Sequence, residues 1–399
     1  MKTLMVITYW SFYDALIQSY TLPYVRIIKN ILPKDYKIIL VTFDKEPKQF
    51  ESEIEPGIYN ISFRMHGFGL KAIMEVFYSL LKLKKVVKSR NVFALHGWCA
   101  TGNGLAWALS KISGLRFIAD SFEPNAEPMV ETGTWKKNSI AFRIQFWLEK
   151  KTARFAGELI AISPHMQGYM ESKYHINREI KYIKPACVDI DLFHTSRKKN
   201  HKLLRELDLE GKIVCVYAGK TGGFYLDQEL FDFFAAASKK WGELFRVIFL
   251  SSQTKDTLLP FIRKSGFPEH QLILKFIPHY LVPDYMGLAD FAVGPYKSVP
   301  SRKTCSPLKN GEYLALGLPI VITPDISNDS ELIELYNCGV VLRDLSQNDY
   351  MEALDKIEKM IADDHVKNAT AERCRQIAET YRNFDIAYKI YQDIYGHLS

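Results

Sequence analysis

The sequence predicts an α/β protein of two units, each a parallel sheet covered by helices, and three observations carry that reading. Short apolar runs alternate with amphipathic stretches along the chain, the pattern of strands followed by crossover helices. The 399 residues exceed one ordinary domain of about 150 residues. One polar, basic stretch without apolar period, His194-Thr195-Ser196-Arg197-Lys198-Lys199-Asn200-His201-Lys202, lies near the middle and reads as a linker. The expected units are therefore 1–194 and 203–380, joined by 195–202. The closing segment 381–399 is amphipathic and aromatic and reads as a helix. Apolar residues make up 47% and charged residues 24%, enough for two ordinary cores.

Expected strands in the first unit are 4–8, 37–42, 91–95, 116–120, 158–162 and 180–183. In the second they are 212–218, 246–250, 272–276, 291–294, 319–322 and 340–342. No segment approaches the ~20 apolar residues of a membrane helix, and the start reads as a first buried strand rather than a cleaved leader. Six scattered cysteines without a CxxC pair favour reduced thiols in a cytoplasm.

The most informative stretch is Ser306-Pro307-Leu308-Lys309-Asn310-Gly311-Glu312-Tyr313-Leu314-Ala315-Leu316-Gly317-Leu318-Pro319-Ile320-Val321. It reads as a turn, a helix, a glycine stop and a buried strand. Ser306 is expected to cap the helix, with Pro307 at its first position. Leu308, Tyr313, Leu314 and Leu316 can face a core. A helix start between two strands offers free N–H groups to an anionic phosphate, and Glu312 lies within reach of neighbouring sugar hydroxyls. The plain alternative is an ordinary crossover helix with a solvated Glu.

The residues of this stretch resemble the nucleotide-sugar motif of glycosyltransferases with the GT-B fold, specifically the retaining family four type and its bacterial surface-polysaccharide branch. Two further segments carry the resemblance: Tyr280-Leu281-Val282-Pro283-Asp284-Tyr285-Met286-Gly287-Leu288-Ala289-Asp290-Phe291 and Ile183-Lys184-Pro185-Ala186-Cys187-Val188-Asp189-Ile190-Asp191-Leu192-Phe193. It implies two Rossmann-like domains facing a cleft, the C-terminal helix crossing back to the first. It implies transfer of a sugar, with retention and without a metal, from a nucleotide-sugar donor to a saccharide or lipid-linked acceptor. UDP is favoured over GDP, and the setting is surface polysaccharide synthesis. No cofactor is expected, and Asp189-Ile190-Asp191 falls in a domain-closing loop rather than a metal site. The alternatives within the same fold are a non-catalytic homologue that binds a nucleotide sugar or a partner protein, and an epimerase.

Residue by residue, the resemblance gives Glu312 the ribose and the backbone of Ser306, Leu308 and Lys309 the diphosphate. Gly219 and Lys220 follow the first strand of the second unit, where glycine lets backbone approach a phosphate; the spacing is not that of a P-loop. Relatives carry an Arg and a Lys in this loop. Here only Lys220 occupies it, so Arg302, Lys303 or Lys309 must supply the second charge. Phe276 and Ile277 are expected to hold the base through backbone groups. His96, at the carboxyl end of a first-unit strand, is expected near the donor sugar, with Asp120 and Glu123 at the acceptor. The catalytic expectation is thus His96, Lys220 and Glu312. Two departures stand out. Thr304 replaces an acidic residue eight positions before Glu312, and the aromatic turn Tyr9-Trp10-Ser11-Phe12-Tyr13-Asp14 replaces a glycine-rich one.

The net charge of +7 asks for an anionic partner. Basic and aromatic residues mingle in 77–88 and 135–151, and such helices can rest on an anionic inner leaflet while a lipid-linked acceptor is used. Packing on the sheet with solvated lysines is the alternative. No nucleic-acid motif is present, and 45 acidic residues nearly balance 52 basic ones.

Overall fold

In the computed structural model, which describes residues 2–14, 16–47, 50–65 and 70–398, the chain divides into two units. One comprises Met1–Val130, Trp135–Pro185 and Asp385–Ser399; the other comprises Glu131–Thr134 and Ala186–Phe384.

The first unit is built on strands β1 (Thr3–Ile7), β2 (Lys37–Asp44), β3 (Glu51–Glu55), β4 (Ile58–Arg64), β5 (Val92–Trp98), β6 (Phe117–Phe122), β7 (Glu158–Ala161) and β8 (Tyr182–Ile183). Their order is β3-β4-β2-β1-β5-β6-β7-β8. All neighbours run parallel except β3 and β4. Strand β1 is buried at every residue, as expected of a parallel strand covered on both faces. The β3–β4 hairpin is absent from the sequence expectation for a physical reason. Glu51-Ser52-Glu53-Ile54-Glu55 is a charged edge strand, and charge at an edge blocks pairing with other chains.

A buried carboxylate organises this unit. Asp120, within β6, is fully buried. Its Oδ1 lies 3.1 Å from Lys184 Nζ. Its Oδ2 accepts from Tyr391 Oη at 2.6 Å and lies 3.0 Å from His96 Nε2. With Nε2–H directed at the carboxylate, His96 Nδ1 accepts the Tyr395 hydroxyl at 2.6 Å. Lys184 also sits 3.8 Å from the Tyr24 ring centre and 4.8 Å from that of Trp98. Burial pushes the Asp120 carboxyl up, but the Lys184 ammonium, His96 and Tyr391 outweigh it and hold it below the usual carboxylate range. Tyr391 and Tyr395 belong to the helix Phe384–Tyr395, so this network fastens the last helix of the chain into the first unit.

The helix Ile140–Phe155 buries its polar side. Glu149 accepts from Asn125 N, Ala126 N, Gln145 and Tyr174, and burial pushes its carboxyl up to about 7 against those bonds. Ile140, Ile144 and Trp147 consequently face outward.

The second unit has six strands, β9 (Ile213–Ala218), β10 (Phe245–Leu250), β11 (Leu272–Lys275), β12 (Phe291–Gly294), β13 (Ile320–Ile322) and β14 (Gly339–Val341). All are parallel, in the order β11-β10-β9-β12-β13-β14. Counted from β9 this is 3-2-1-4-5-6, the doubly wound order whose ligand crevice opens where the winding reverses, between β9 and β12. Alternate residues of β9 feed opposite cores. Val214 and Val216 pack with Tyr313, Leu314 and Ala315, whereas Cys215 and Tyr217 pack with Phe231 and Phe234.

The stretch 195–202, expected as a linker, lies within the second unit, and the units change over at Pro185. Its basic side chains have partners there. Lys199 Nζ reaches Leu288 O at 2.7 Å and Asp290 at 2.9 Å, Lys198 Nζ reaches Gly317 O at 3.2 Å, and Arg197 pairs with Asp284 at 3.0 Å. No helix among the described residues is long and apolar enough to cross a membrane.

Asp120 provides the first test. Asp120→Ala strands a buried ammonium and should lower unfolding free energy by about 3–5 kcal/mol. Because the folded carboxyl titrates below its ordinary value, this contribution is present above the unfolded range and is lost only as strong acid is approached. Urea unfolding at neutral pH checks it, and a loss below about 1 kcal/mol would mean the network is not structural.

Candidate functional site

The motif helix spans Leu308–Ala315, with Pro307 at its N-cap and no side chain capping it. Ser306 does not cap, contrary to expectation. Its Oγ accepts from Ala186 N at 3.0 Å and from Arg382 Nη1, so no lone pair is directed at the helix. The first N–H groups of the helix therefore remain available to an anion.

A buried ion pair fixes that helix start. Arg382 pairs with Asp329, both about 1% exposed. Asp329 Oδ2 also accepts from Asn310 Nδ2 at 2.8 Å, and Asn310 Oδ1 accepts from Tyr296 Oη at 3.1 Å. Next to Asn310, a Cβ on Gly311 would come 2.8 Å from Val188 Cγ1; only a hydrogen there admits the 186–188 segment.

Facing the reversal of winding, Gly219 follows β9 with φ of +147°, a backbone conformation that favours glycine. A Cβ there would collide with Lys309 Nζ. The loop is held from both sides: Ala218 N donates to Tyr313 Oη at 2.8 Å, and Tyr217 Oη donates to Lys220 O at 2.6 Å. The Lys220 side chain is exposed.

Lys309 is the unusual member. Its Nζ lies 3.9 Å from the Tyr225 ring centre, 4.7 Å from Tyr217 and 5.7 Å from Tyr296. Among the described residues this buried atom has no hydrogen-bond partner. Burial pulls the amine down to about 7, partly offset by Glu312 one turn away. Arg302 stacks on Phe224, 4.3 Å from guanidinium to ring centre.

Glu312 is largely buried and lies 3.7 Å from His279 Nε2. The Glu312 carboxylate raises the imidazole against its desolvation. His279 opens the 3-10 turn His279–Leu281 after β11, flanked by the exposed rings of Phe276 and Tyr280. Ile277 packs on the core. The structure thus brings Gly219, Lys309, Glu312 and His279 to one end of the second sheet. His279 and the tyrosines around Lys309 are absent from the sequence-derived list; the adjacency of His279 to Phe276 and Ile277 was the available signal.

The first-unit candidates are placed differently. His96 and Asp120 are fully buried, so neither offers an atom to a sugar or an acceptor in this structure; the hydrogen bonds and ion pair above account for both. Glu123 is half-buried. Thr304 is buried with its hydroxyl on Ser301 O at 2.6 Å, and Ser301 donates through N and Oγ to Glu131. In the aromatic turn, Asp44 accepts from Phe12 N at 3.2 Å and from Ser11. The first carboxylate of Asp189-Ile190-Asp191 accepts from Asp191 N and Leu192 N. No group of three or more His, Cys, Asp or Glu among the described residues is placed to hold a metal ion.

The His279–Glu312 pair makes a direct prediction. Its imidazole should titrate above the free value of about 6.5, and Glu312→Gln should shift the midpoint down. The pair stabilises the fold below the unfolded histidine value and loses that contribution as pH rises through the higher folded one. Imidazole NMR titration checks this, and an identical midpoint in both proteins would dissolve the pair.

No protein-family profile matches the chain, and no curated protein matches its sequence. Solved structures do match over nearly the whole length. Sucrose-phosphate synthase from Thermosynechococcus elongatus is 13% identical with a TM-score of 0.78, covering 100% of this chain and 99% of its own. WaaG, a glycosyltransferase involved in lipopolysaccharide biosynthesis, is 14% identical with a TM-score of 0.72, covering 99% and 100%. HepE from Anabaena, in complex with UDP-glucose, is 14% identical with a TM-score of 0.69, covering 99% of both chains. Two doubly wound units with the last helix returned to the first, matched end to end by these enzymes, give this chain the GT-B fold.

Proposed function

We propose that the protein is a glycosyltransferase that moves a sugar from a UDP-sugar to a saccharide or lipid-linked acceptor, with retention and without a metal. The observation that carries this is Lys309, a buried cation without an acceptor at the uncapped start of a helix, beside Gly219 and one turn from Glu312. A diphosphate supplies what that corner lacks. Solved proteins of the same fold bind UDP and UDP-glucose, which supports UDP as the nucleotide.

In this reading Glu312 accepts the ribose hydroxyls, and His279 holds its carboxylate in place. Phe276 and Ile277 border the base. The helix N–H groups at Leu308 and Lys309, with the Lys309 ammonium, stabilise the charge that builds on the leaving diphosphate. Lys220 and Arg302 add cationic charge from the rim, so no metal is needed for that charge. The departing phosphate oxygen takes the acceptor's proton on the face it leaves, which preserves the anomeric configuration without a carboxylate pair at glycosidase spacing. His96 and Asp120 play no part in these steps. Glu123 remains an acceptor contact in this proposal.

The buried Thr304 favours a second reading, a homologue that binds a nucleotide sugar without transferring it. Both readings require UDP binding, and only the first requires UDP release from a donor in the presence of acceptor. The setting we propose is surface polysaccharide synthesis at the cytoplasmic face of the membrane. The outer face of Ile140–Phe155 supports it: a depression of about 360 Å³ lined by Phe142, Arg143, Trp147, Lys150 and Lys151, with Ile140 77% exposed.

Glu312→Ala should weaken UDP binding about tenfold or more, since a hydrogen bond to a charged group contributes roughly 1.5–3 kcal/mol. Unchanged affinity by calorimetry would remove Glu312 from the site. Transfer should survive EDTA and yield a product with the donor's anomeric configuration; an inverted product would overturn the mechanism. The protein should float with anionic vesicles at low salt and lose them as salt rises. Equal flotation with neutral vesicles would leave the exposed face unexplained by charge.

A further inference from the structure

The groups around Lys309 come from separate elements. Tyr217 lies near the end of β9, Tyr225 follows in the next loop, and Tyr296 follows β12. Each presents its ring to the amine rather than an oxygen. The Tyr225 and Tyr296 rings are 5.3 Å apart and their backbones form an isolated bridge. Flanking bonds, Leu226 N to Pro295 O at 2.8 Å and Lys297 N to Phe224 O at 3.0 Å, clamp the two loops together. Tyr296 is tied in turn to Asn310 beside Lys309. The box is thus built into the backbone, and burial pushes the hydroxyls of Tyr217, Tyr296 and Tyr313 well up, so they carry no charge for the amine. Of the carboxylates, Glu312 faces Lys309 from the same helix, and it is engaged by His279.

Aromatic faces stabilise a cation by much less than it costs to desolvate an ammonium ion. The box holds the side chain in position without fully supporting its charge. We propose that Tyr217, Tyr225 and Tyr296 are positioning residues that keep Lys309 without an acceptor until the donor's diphosphate arrives, so that binding above neutral pH takes up a proton onto Lys309. This rests on the nucleotide-sugar reading of the site.

The chemistry balances simply. No covalent bond is made; the proton comes from buffer and ends on the Lys309 nitrogen, whose charge the phosphate oxygen then offsets. Near pH 7 the empty site holds a mixture of amine and ammonium. An anion within hydrogen-bonding distance drives it to ammonium, and linkage requires the difference to be drawn from solution.

The test is calorimetric titration with UDP at about pH 8, where its terminal phosphate is already deprotonated, in Tris and in HEPES. The two buffers differ in ionisation enthalpy, so their apparent binding enthalpies report protons exchanged. Wild type should take up close to one proton per UDP, and His279→Asn should do the same, which excludes the neighbouring imidazole as the source. Lys309→Arg carries a fixed charge and should bind UDP with no buffer dependence. Tyr225→Ala admits water, restores the ammonium in the empty site and should cut the uptake at least twofold. Tyr225→Phe keeps the ring face and should retain it. Binding of UDP by wild type with equal enthalpies in both buffers would overturn the inference while leaving the nucleotide site intact. Unchanged uptake in Tyr225→Ala would remove the tyrosine box from it. Failure of wild type to bind UDP would overturn the UDP reading and the inference with it.

Discussion

The ion pair between Arg382 and Asp329 is the constraint on which the second unit's site depends. Removing both charges from water costs several kcal/mol per ion, and such a pair is tolerated only when hydrogen bonds satisfy its remaining groups. Here Ser306, the Ala186 carbonyl and Asn310 do so. Those partners define the start of the motif helix. With Ser306 committed below, nothing caps the helix above, and its free N–H groups are a consequence of how the pair is satisfied. Gly311 lets the 186–188 segment close over the same point. Asn310 passes the constraint to Tyr296, so one buried pair sets both the helix start and one wall of the box around Lys309.

Two buried lysines in this chain show what distinguishes structure from function. Lys184 and Lys309 each lie over aromatic rings, at 3.8 Å and 3.9 Å from the nearest centre. Lys184 has the Asp120 carboxylate 3.1 Å away, and that carboxylate is shared with His96 and Tyr391. Every charge there is answered, which makes the cluster a fastening for the last helix. Among the described residues Lys309 has rings and no acceptor. An amine buried without an acceptor is costly to keep charged and is driven toward its neutral form; in the proposed function the donor's diphosphate is what restores its charge.

Most parallel strands were legible because fully buried strands read as apolar runs, and every strand of the second unit lies on or within a residue or two of its expected position; β4, parallel to β2, was missed because Asn60 and Ser62 break its apolar run. The β3–β4 hairpin was not legible, because Glu51–Glu55 holds an exposed edge whose charged composition hides the strand. Gly219, Lys309 and Glu312, named from helix and loop chemistry, lie together at one end of the second sheet, since the backbone requirements that place them are local. The capping role of Ser306 was misread because its partners, Ala186 and Arg382, are distant in sequence. The burial of His96 and Asp120 was not legible for the same reason: strand position puts them at a ligand-binding end, while Lys184, Tyr391 and Tyr395, which enclose them, come from far along the chain. His279 had only its adjacency to Phe276 and Ile277 as a signal, and the three tyrosines carry none. Their role is set by three-dimensional proximity to Glu312 and Lys309.

The measurement that bears most directly on this account is a crystal structure of the protein with UDP. The account predicts a diphosphate oxygen within hydrogen-bonding distance of Lys309 Nζ, the other phosphate oxygens on the N–H groups at the start of Leu308–Ala315, and the ribose hydroxyls on Glu312. UDP bound elsewhere, with Lys309 still enclosed by its three rings and without an acceptor, would contradict it.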